Sequence, residues 1–120
     1  MKVLLVDDNE EVSGLLRLSL GEASIETVTV SDGAAAAKQV QENDFDALVI
    51  DSVLASDDSI ELVQKIRAHK SGKKVPILMM SPIGTALARR MATSAGCDAF
   101  VVKPFGIMQL IENLRNLQHK

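Results

Sequence analysis

The fold is decided by the stretch FDALVID at residues 45–51, in which an apolar run ends in an acid. This run predicts a strand over Phe45–Ile50, and the run VPILMM predicts a similar strand over Val75–Met80. Strands that are apolar almost throughout fit a parallel sheet that is covered on both faces. Further strands are predicted over Lys2–Val6, Ile25–Val30 and Ala99–Val102.

Helical patterns of apolar residues alternate with these strands. The helices are predicted over Glu11–Leu20, Ala34–Val40, Ile60–Ile66, Thr85–Ala95 and Leu110–Leu117. Thr85 is suited to cap the fourth helix, and Gly96 is suited to end it. Such alternation predicts parallel strands joined by right-handed crossovers, with helices on both faces of the sheet. We therefore expect one domain over residues 1–120, a three-layer α/β fold with a doubly wound five-stranded parallel sheet.

The composition excludes several classes of protein. The 120 residues are 47% hydrophobic and 24% charged, with a net charge of −3 and neither Trp nor Tyr. A mildly acidic chain with few aromatic side chains does not offer the surface that nucleic acids or anionic membranes require. The apolar run at the amino terminus is too short for a secretory signal, and no run reaches the length of a membrane span, so we expect a cytoplasmic location. Cys97 is interpreted as a packed core residue, and His69 and His119 are expected on the surface.

Polar residues follow four of the predicted strands at the point where each strand ends. They are Asp7 and Asp8, Asp51, Ser81 and Lys103. Ligands bind at the carboxyl ends of parallel strands where the strand order reverses, and in the order 2-1-3-4-5 that point lies between the first and third strands. Two unit charges ~5 Å apart at an effective dielectric constant of ~20 repel by about 3 kcal/mol. The three carboxylates therefore favour a divalent cation such as Mg²⁺, and a cation beside a carboxylate, a lysine and a hydroxyl is typical of phosphoryl transfer.

In this pattern the sequence resembles the receiver domain of bacterial two-component response regulators, the chemotaxis response proteins among them. The resemblance covers the whole chain. It rests on Val6-Asp7-Asp8-Asn9, Asp51, Met80-Ser81, Phe100 and Lys103-Pro104-Phe105, which occur in the right order along the predicted strands and at their ends. It implies a flavodoxin-like receiver fold with the strand order 2-1-3-4-5. It also implies a signalling role, without turnover of a released product.

The resemblance assigns a role to the acids and the lysine. Asp51 corresponds to the phosphoacceptor, which takes a phosphoryl group from the phosphohistidine of a kinase. Asp7 and Asp8 correspond to the acids that hold Mg²⁺, together with Asp51 and the backbone carbonyl of Val53. Lys103 corresponds to the lysine that pairs first with Asp51 and then with the phosphoryl group. Such a domain catalyses its own phosphorylation and dephosphorylation.

The resemblance also implies a switch. Ser81 corresponds to the hydroxyl residue that moves toward the phosphoryl group, and Phe100 corresponds to the aromatic residue whose rotamer follows that movement. The peptide bond before Pro104 is cis in this family. Val53 and Ile83 occupy positions that tune the lifetime of the phosphoryl group. Because apolar side chains cannot orient an attacking water, we expect slow self-dephosphorylation.

The partners implied by the resemblance lie on both sides of the phosphoryl transfer. A sensor histidine kinase or a phosphotransfer protein is expected upstream, and an effector protein or an output domain is expected downstream. In receivers the face made by the fourth helix, the fifth strand and the fifth helix often meets partners, and Arg89 and Arg90 lie on that fourth helix. Neither direct nucleic acid binding nor membrane insertion is expected, and no output domain is expected within residues 1–120.

The chain departs from the family pattern in two loops. Ala55 and Ser59 stand where a proline and a glycine are usual after the phosphoacceptor, which predicts a looser loop. Asp57 and Asp58 add negative charge to the same loop. Pro82 stands where a small residue is usual after the hydroxyl residue, and it removes a backbone N–H that commonly helps to bind the phosphoryl group. An alternative therefore stays open, a receiver-like interaction module that acts without phosphorylation.

Other interpretations of the same residues also stay open. Asp8 with Glu11 fits a capping box that would start the first helix. Asp58 with Glu61 fits another capping box, at the start of the third helix, and there the cap is favoured. A small flavin carrier shares this layout, but it needs a phosphate-binding loop after the first strand, where Asp7 and Asp8 would repel a phosphate. A phosphatase of the haloacid dehalogenase type needs an Asp-x-Asp pattern at that point, which this sequence does not have.

Overall fold

Strands and helices alternate throughout the computed structural model, which describes residues 1–55 and 57–118. The expectation for His119 therefore falls outside the described residues. The strands are β1 (Lys2–Val6), β2 (Glu26–Val30), β3 (Ala47–Asp51), β4 (Ile77–Ser81) and β5 (Ala99–Val102). The helices are α1 (Glu10–Glu22), α2 (Gly33–Glu42), α3 (Ser59–Ala68), α4 (Ala86–Ala95) and α5 (Ile107–Gln118), with a short 3₁₀ turn at Lys70–Gly72.

The five strands form one parallel sheet in the order β2-β1-β3-β4-β5, which confirms the predicted fold class. β3 and β4 each begin two residues later than predicted. For β4 the reason is Pro76, which has no N–H to donate to the ladder. The register pairs Val6 with Ile50 and Asp51 with Met80, so the carboxyl ends of the central strands lie side by side.

The core lies on both faces of the sheet because β3 and β4 are buried at every position. Leu4, Leu48 and Ile50 pack on the face that α2, α3 and α4 cover. Leu5 and Val49 pack on the opposite face, which α1 and α5 cover. The helices contribute these buried residues: Ala36 and Val40 from α2; Leu62, Val63 and Ile66 from α3; Ala92 and Ala95 from α4; Leu20 from α1; Leu110, Ile111, Leu114 and Leu117 from α5.

The helix starts decide which acids are available for other contacts. Asn9, rather than Asp8, caps α1, since its Oδ1 accepts hydrogen bonds from the N–H groups of Glu11 and Val12. The interpretation of Asp8 as the cap is therefore wrong, because the neighbouring amide side chain satisfies the same two donors. Asp58 caps α3 as predicted, and Thr85 caps α4.

Two sequence predictions about single residues away from the sheet edge are confirmed. Cys97 is buried, and its burial raises the pKa of the thiol to about 12, so it stays protonated and unreactive at neutral pH. His69 is exposed. Within residues 1–55 and 57–118, none of the helices combines the length and the apolar character that a bilayer span requires.

Candidate functional site

The carboxyl ends of β3 and β5 bring an acid and a lysine into contact. Asp51, at the end of β3, is only 4% exposed. Its Oδ2 accepts a hydrogen bond from Lys103 Nζ at 2.8 Å, and its Oδ1 accepts one from the N–H of Val53 at 3.0 Å. Lys103 follows β5 and is partly exposed, so one end of this ion pair is buried and the other reaches the surface.

Asp7, at the end of β1, supplies a second buried carboxylate. It is 2% exposed, its Oδ1 accepts a hydrogen bond from the N–H of Asn9, and its Oδ2 is buried without a hydrogen-bond partner. Burial raises the pKa of Asp7 from 3.8, and the negative charges of Asp51 and Asp8 add to the shift, while the Asn9 N–H and the Lys103 charge oppose it. A buried carboxylate oxygen without a donor, next to two other acids, favours a cation.

Asp8 contacts the loop between β3 and α3. It is half-buried, and its Oδ2 accepts a hydrogen bond from the N–H of Ala55 at 2.5 Å. Val53 lies in the same loop, two residues after Asp51, and its side chain is 59% exposed. The loop therefore runs alongside the acids of β1.

The donor set fits a hard divalent cation such as Mg²⁺. Among residues 1–55 and 57–118, no three His, Cys, Asp or Glu side chains form a cage that could hold a metal by themselves. Mg²⁺ does not require such a cage, because it keeps several waters and binds one or two carboxylates. The unpartnered Oδ2 of Asp7 and the neighbouring carboxylate of Asp8 are oxygen ligands of this kind.

Ser81 is buried at the end of β4, but its hydroxyl is directed into its own loop. The Ser81 Oγ donates to the carbonyl of Ile83 and accepts from the N–H of Ile83, both at 3.1 Å. Pro82, between them, is exposed and has no N–H. The structure therefore brings Asp7, Asp8 and Asp51 together with a lysine, and it holds the Ser81 hydroxyl on the backbone of Ile83.

Phe100 is half-buried in β5 and packs against the core face under α4. The Arg89 guanidinium lies over its ring, 5.0 Å from the centroid, and the Arg89 Nε also donates to the carbonyl of Gly84. A cavity of about 180 Å³ beside the ring is lined in part by Ser81, Ile83 and Phe100. Sequence analysis placed Arg89 on the fourth helix and did not predict its contact with Phe100, because no local pattern pairs α4 with β5.

Hydrogen bonds hold the loop after Asp51 to the rest of the protein, whereas the sequence predicted a looser loop. Val53 pairs with Asp58 in an isolated antiparallel bridge. The Ser59 hydroxyl donates to the main-chain carbonyl of Asp51 at 2.5 Å, which a glycine in its place does not do. The Asp57 carboxylate accepts the N–H of Gly33 at 3.0 Å. Together with the bond from Ala55, these contacts hold the described residues of the loop at both ends.

The peptide bond between Lys103 and Pro104 is cis. It follows directly after β5, where the chain turns toward α5. Val12, Leu16, Met80 and Phe105 line a groove with Lys103 and Pro104, so the lysine stem lies beside an apolar surface.

Comparison with known proteins identifies a family that shares this arrangement. A family model described as the response regulator receiver domain matches residues 3–115. The transcriptional regulatory protein SrrA of Staphylococcus aureus is 29% identical over 116 residues, which are 97% of this chain and 47% of SrrA. The chain therefore spans about half the length of the curated relatives that it matches.

Solved structures agree with the family model. The chemotaxis protein CheY4 of Vibrio cholerae is 28% identical with a TM-score of 0.91, and the match covers 97% of each chain. The receiver domain of the sensor histidine kinase PA1611 of Pseudomonas aeruginosa PAO1 is 25% identical with a TM-score of 0.91, and the match covers 99% of this chain and 98% of that one. The PA1611 domain was solved with a magnesium ion coordinated in its active site cleft.

Proposed function

The chain belongs to the response regulator receiver family, and from this premise we propose that it accepts a phosphoryl group on Asp51 from a phosphohistidine. The donor would be a sensor histidine kinase or a phosphotransfer protein. The observation that carries this proposal is the Asp51–Lys103 ion pair, which lies beside the buried and unpartnered oxygen of Asp7. The ion pair supplies a nucleophile and a fixed positive charge, and the second acid supplies a cation ligand.

The transfer needs few catalytic groups. An Asp51 carboxylate oxygen attacks phosphorus, the P–N bond of the donor breaks, and the ring, protonated on its other nitrogen, leaves as neutral imidazole with the electron pair of that bond. The product is an acyl phosphate, in which the new O–P bond replaces the broken bond. The Lys103 ammonium, already 2.8 Å from Asp51 Oδ2, is placed to pair with the phosphoryl oxygens as their charge develops.

We assign the cation site to Asp7, Asp8, Asp51 and the backbone carbonyl of Val53. A bound Mg²⁺ would neutralise charge on the phosphoryl oxygens. Asp7 has an oxygen without a hydrogen-bond partner, so it does not have to break a bond within the protein to become a ligand.

Phosphorylation would then act as a switch through Ser81 and Phe100. The Ser81 hydroxyl has one proton, which is now donated to the Ile83 carbonyl, so a bond to the phosphoryl group requires release from Ile83. That movement would change the cavity beside Phe100 and, with it, the face of α4, β5 and α5 that an effector protein or output domain contacts. Val53 and Ile83 are apolar and exposed, and they have no group that could orient an attacking water, so we propose slow self-dephosphorylation.

The test is the intact mass of the protein after incubation with Mg²⁺ and acetyl phosphate or phosphoramidate. We expect one added phosphoryl group on the wild-type protein and none on Asp51→Asn. Asp44→Asn, which changes an exposed acid before β3, is the matched control and is expected to be modified like the wild type. Absence of modification from the folded wild-type protein with both donors would contradict the proposal.

The second candidate is an interaction module that acts without phosphorylation. Two observations favour it: Pro82 offers no N–H to a phosphoryl group, and the Ser81 hydroxyl is already paired with Ile83. The same mass measurement separates the candidates, because this one predicts an unmodified wild-type protein.

A further inference from the structure

Ala55 makes a contact that the usual proline of the family could not make. Its main-chain N–H donates to the Oδ2 of Asp8, across 47 residues of sequence. Proline has no N–H, so this bond exists because a residue other than proline stands at this position. The side chain of Ala55 is exposed, so the backbone donor is its contribution here.

We propose that the N–H of Ala55 is a positioning donor for the divalent cation site, because it fixes the orientation of the Asp8 carboxylate. The inference rests on the proposed function, which places the cation at Asp7 and Asp8. One carboxylate oxygen of Asp8 is held by the loop, and the other is left to bind the cation. Hydrogen bonds that orient a metal ligand typically contribute 10–100-fold in metal affinity.

The Asp8 carboxylate does not cap α1. Asn9 accepts the N–H groups of Glu11 and Val12, so the helix does not require the Asp8 carboxylate as its cap. The bond from Ala55 therefore decides where the carboxylate points.

The loop presents this donor from a fixed position. On one side of Ala55, Val53 is paired with Asp58 and its N–H is bonded to Asp51. On the other side, the Asp57 carboxylate accepts the N–H of Gly33, and a Cβ added at Gly33 would lie 2.8 Å from Asp57 Oδ1. The close approach at Gly33 shows that α2 and the loop pack tightly at this point.

The test uses the full chain and measures Mg²⁺ binding by isothermal titration calorimetry, without any phosphodonor. We expect Ala55→Pro, which removes the N–H, to weaken Mg²⁺ binding by about ten-fold or more. Ala55→Ser keeps the N–H and is expected to bind Mg²⁺ within about two-fold of the wild type. Far-UV circular dichroism shows whether each variant is folded.

A folded Ala55→Pro variant that binds Mg²⁺ as tightly as the wild type, or more tightly, would overturn the inference. Tighter binding would show that the N–H competes with the cation for Asp8. A wild-type protein that does not bind Mg²⁺ would instead contradict the cation site of the proposed function, so the two failures are distinguishable.

A second measurement on the wild-type protein does not depend on any variant folding. The exchange of the Ala55 amide hydrogen, followed by NMR, reports directly on the bond to Asp8. A positioning donor keeps its bond when the site is loaded, so saturating Mg²⁺ is expected to slow this exchange or leave it unchanged. Faster exchange upon addition of Mg²⁺ would show that the cation displaces the donor, and would overturn the inference.

Discussion

The two loops that border Asp51 depart from the receiver pattern in opposite directions. In the loop between β3 and α3, Ala55 stands where the family has a proline, and the N–H gained there donates to Asp8. In the loop between β4 and α4, Pro82 stands where the family has a small residue, and an N–H is lost. Compared with the family pattern, the chain therefore has one more backbone donor beside Asp8, at Ala55, and one fewer beside Ser81, at Pro82.

The two serines show the same contrast. The Ser59 hydroxyl, at the start of α3, donates to the main-chain carbonyl of Asp51, so it joins the two ends of the loop between β3 and α3. The Ser81 hydroxyl makes both of its bonds to Ile83, within its own loop. A loop that is bonded to itself can move as a unit, whereas a loop that is bonded to its neighbours must break those bonds first. This difference predicts that the switch lies in the loop that carries Ser81.

Pro82→Ala is the most direct test of the difference between the two loops, and it is expected to have the largest effect. It restores an N–H next to Ser81, and a hydrogen bond to a charged group contributes about 1.5–3 kcal/mol, which corresponds to about ten-fold or more in rate. We expect the initial rate of phosphorylation by phosphoramidate to rise by that factor, measured by intact mass over time.

The matched control for this variant is Pro76→Ala, which removes a proline at the opposite end of β4. It reproduces the general effect of losing a proline, about 0.4–1 kcal/mol of stability, without changing the site. Equal rates for the wild type and both variants would mean that the missing N–H does not limit phosphorylation.

Ser59→Ala tests the tied loop and is expected to have a smaller effect. The change removes the bond from the hydroxyl to the Asp51 carbonyl and keeps a good helix former at the start of α3. A buried hydrogen bond contributes about 1 kcal/mol, so we expect the free energy of unfolding in urea to fall by about that amount. Ser94→Ala, on the exposed side of α4, should leave stability nearly unchanged, and an equal loss in both variants would argue against a specific tie.

The fold was predictable because its strands are unambiguous. The apolar runs before Asp51 and Ser81 predict buried parallel strands, and the polar residues that end the strands predict where the site lies. The individual roles of the acids there required the resemblance to a family, because a strand end alone does not distinguish a ligand from a nucleophile. The strand order 2-1-3-4-5 is confirmed.

Contacts between segments far apart in the sequence were not predictable. Asp8 and Asn9 are both good helix caps, and the choice between them goes with the bond from Ala55, which lies 47 residues beyond Asp8. The bond from Ser59 to Asp51 joins residues only eight positions apart, but, like the contact of Arg89 with Phe100, it depends on how a helix lies against the sheet. A looser loop was predicted because the usual proline and glycine are absent, but of the two only proline restrains the backbone, and the prediction did not count the hydrogen-bond donors that Ala55 and Ser59 supply.

Asp7→Asn tests the buried acid next to Asp51 and is expected to have the smallest effect. Burial, with the charges of Asp51 and Asp8, raises the pKa of Asp7 above 3.8, so the folded protein holds this proton more tightly than the unfolded chain does. At a pH above the raised value, the ionised carboxylate therefore lowers stability, and this loss disappears as the pH falls to 3.8 and below. In buffer with a chelator, Asp7→Asn is expected to raise the Tm at neutral pH, and the gain should shrink toward pH 3.8.

Mg²⁺ should raise the Tm of the wild-type protein above that of Asp7→Asn, because a cation that binds only the folded protein stabilises it by mass action. The wild-type protein is expected to gain Tm with Mg²⁺, whereas Asp7→Asn, which has lost one carboxylate ligand, should gain less. Thermal unfolding gives the Tm of each of the two proteins with Mg²⁺ and with a chelator. Asp44→Asn controls for the loss of one acid. If Asp7→Asn lowers the Tm in the chelator, the carboxylate stabilises the fold without a cation, and its unpartnered oxygen is then no sign of a metal site. If Asp7→Asn raises the Tm in the chelator and gains less Tm with Mg²⁺, then the Asp7 carboxylate lowers the stability of the protein without a cation and contributes to binding the cation.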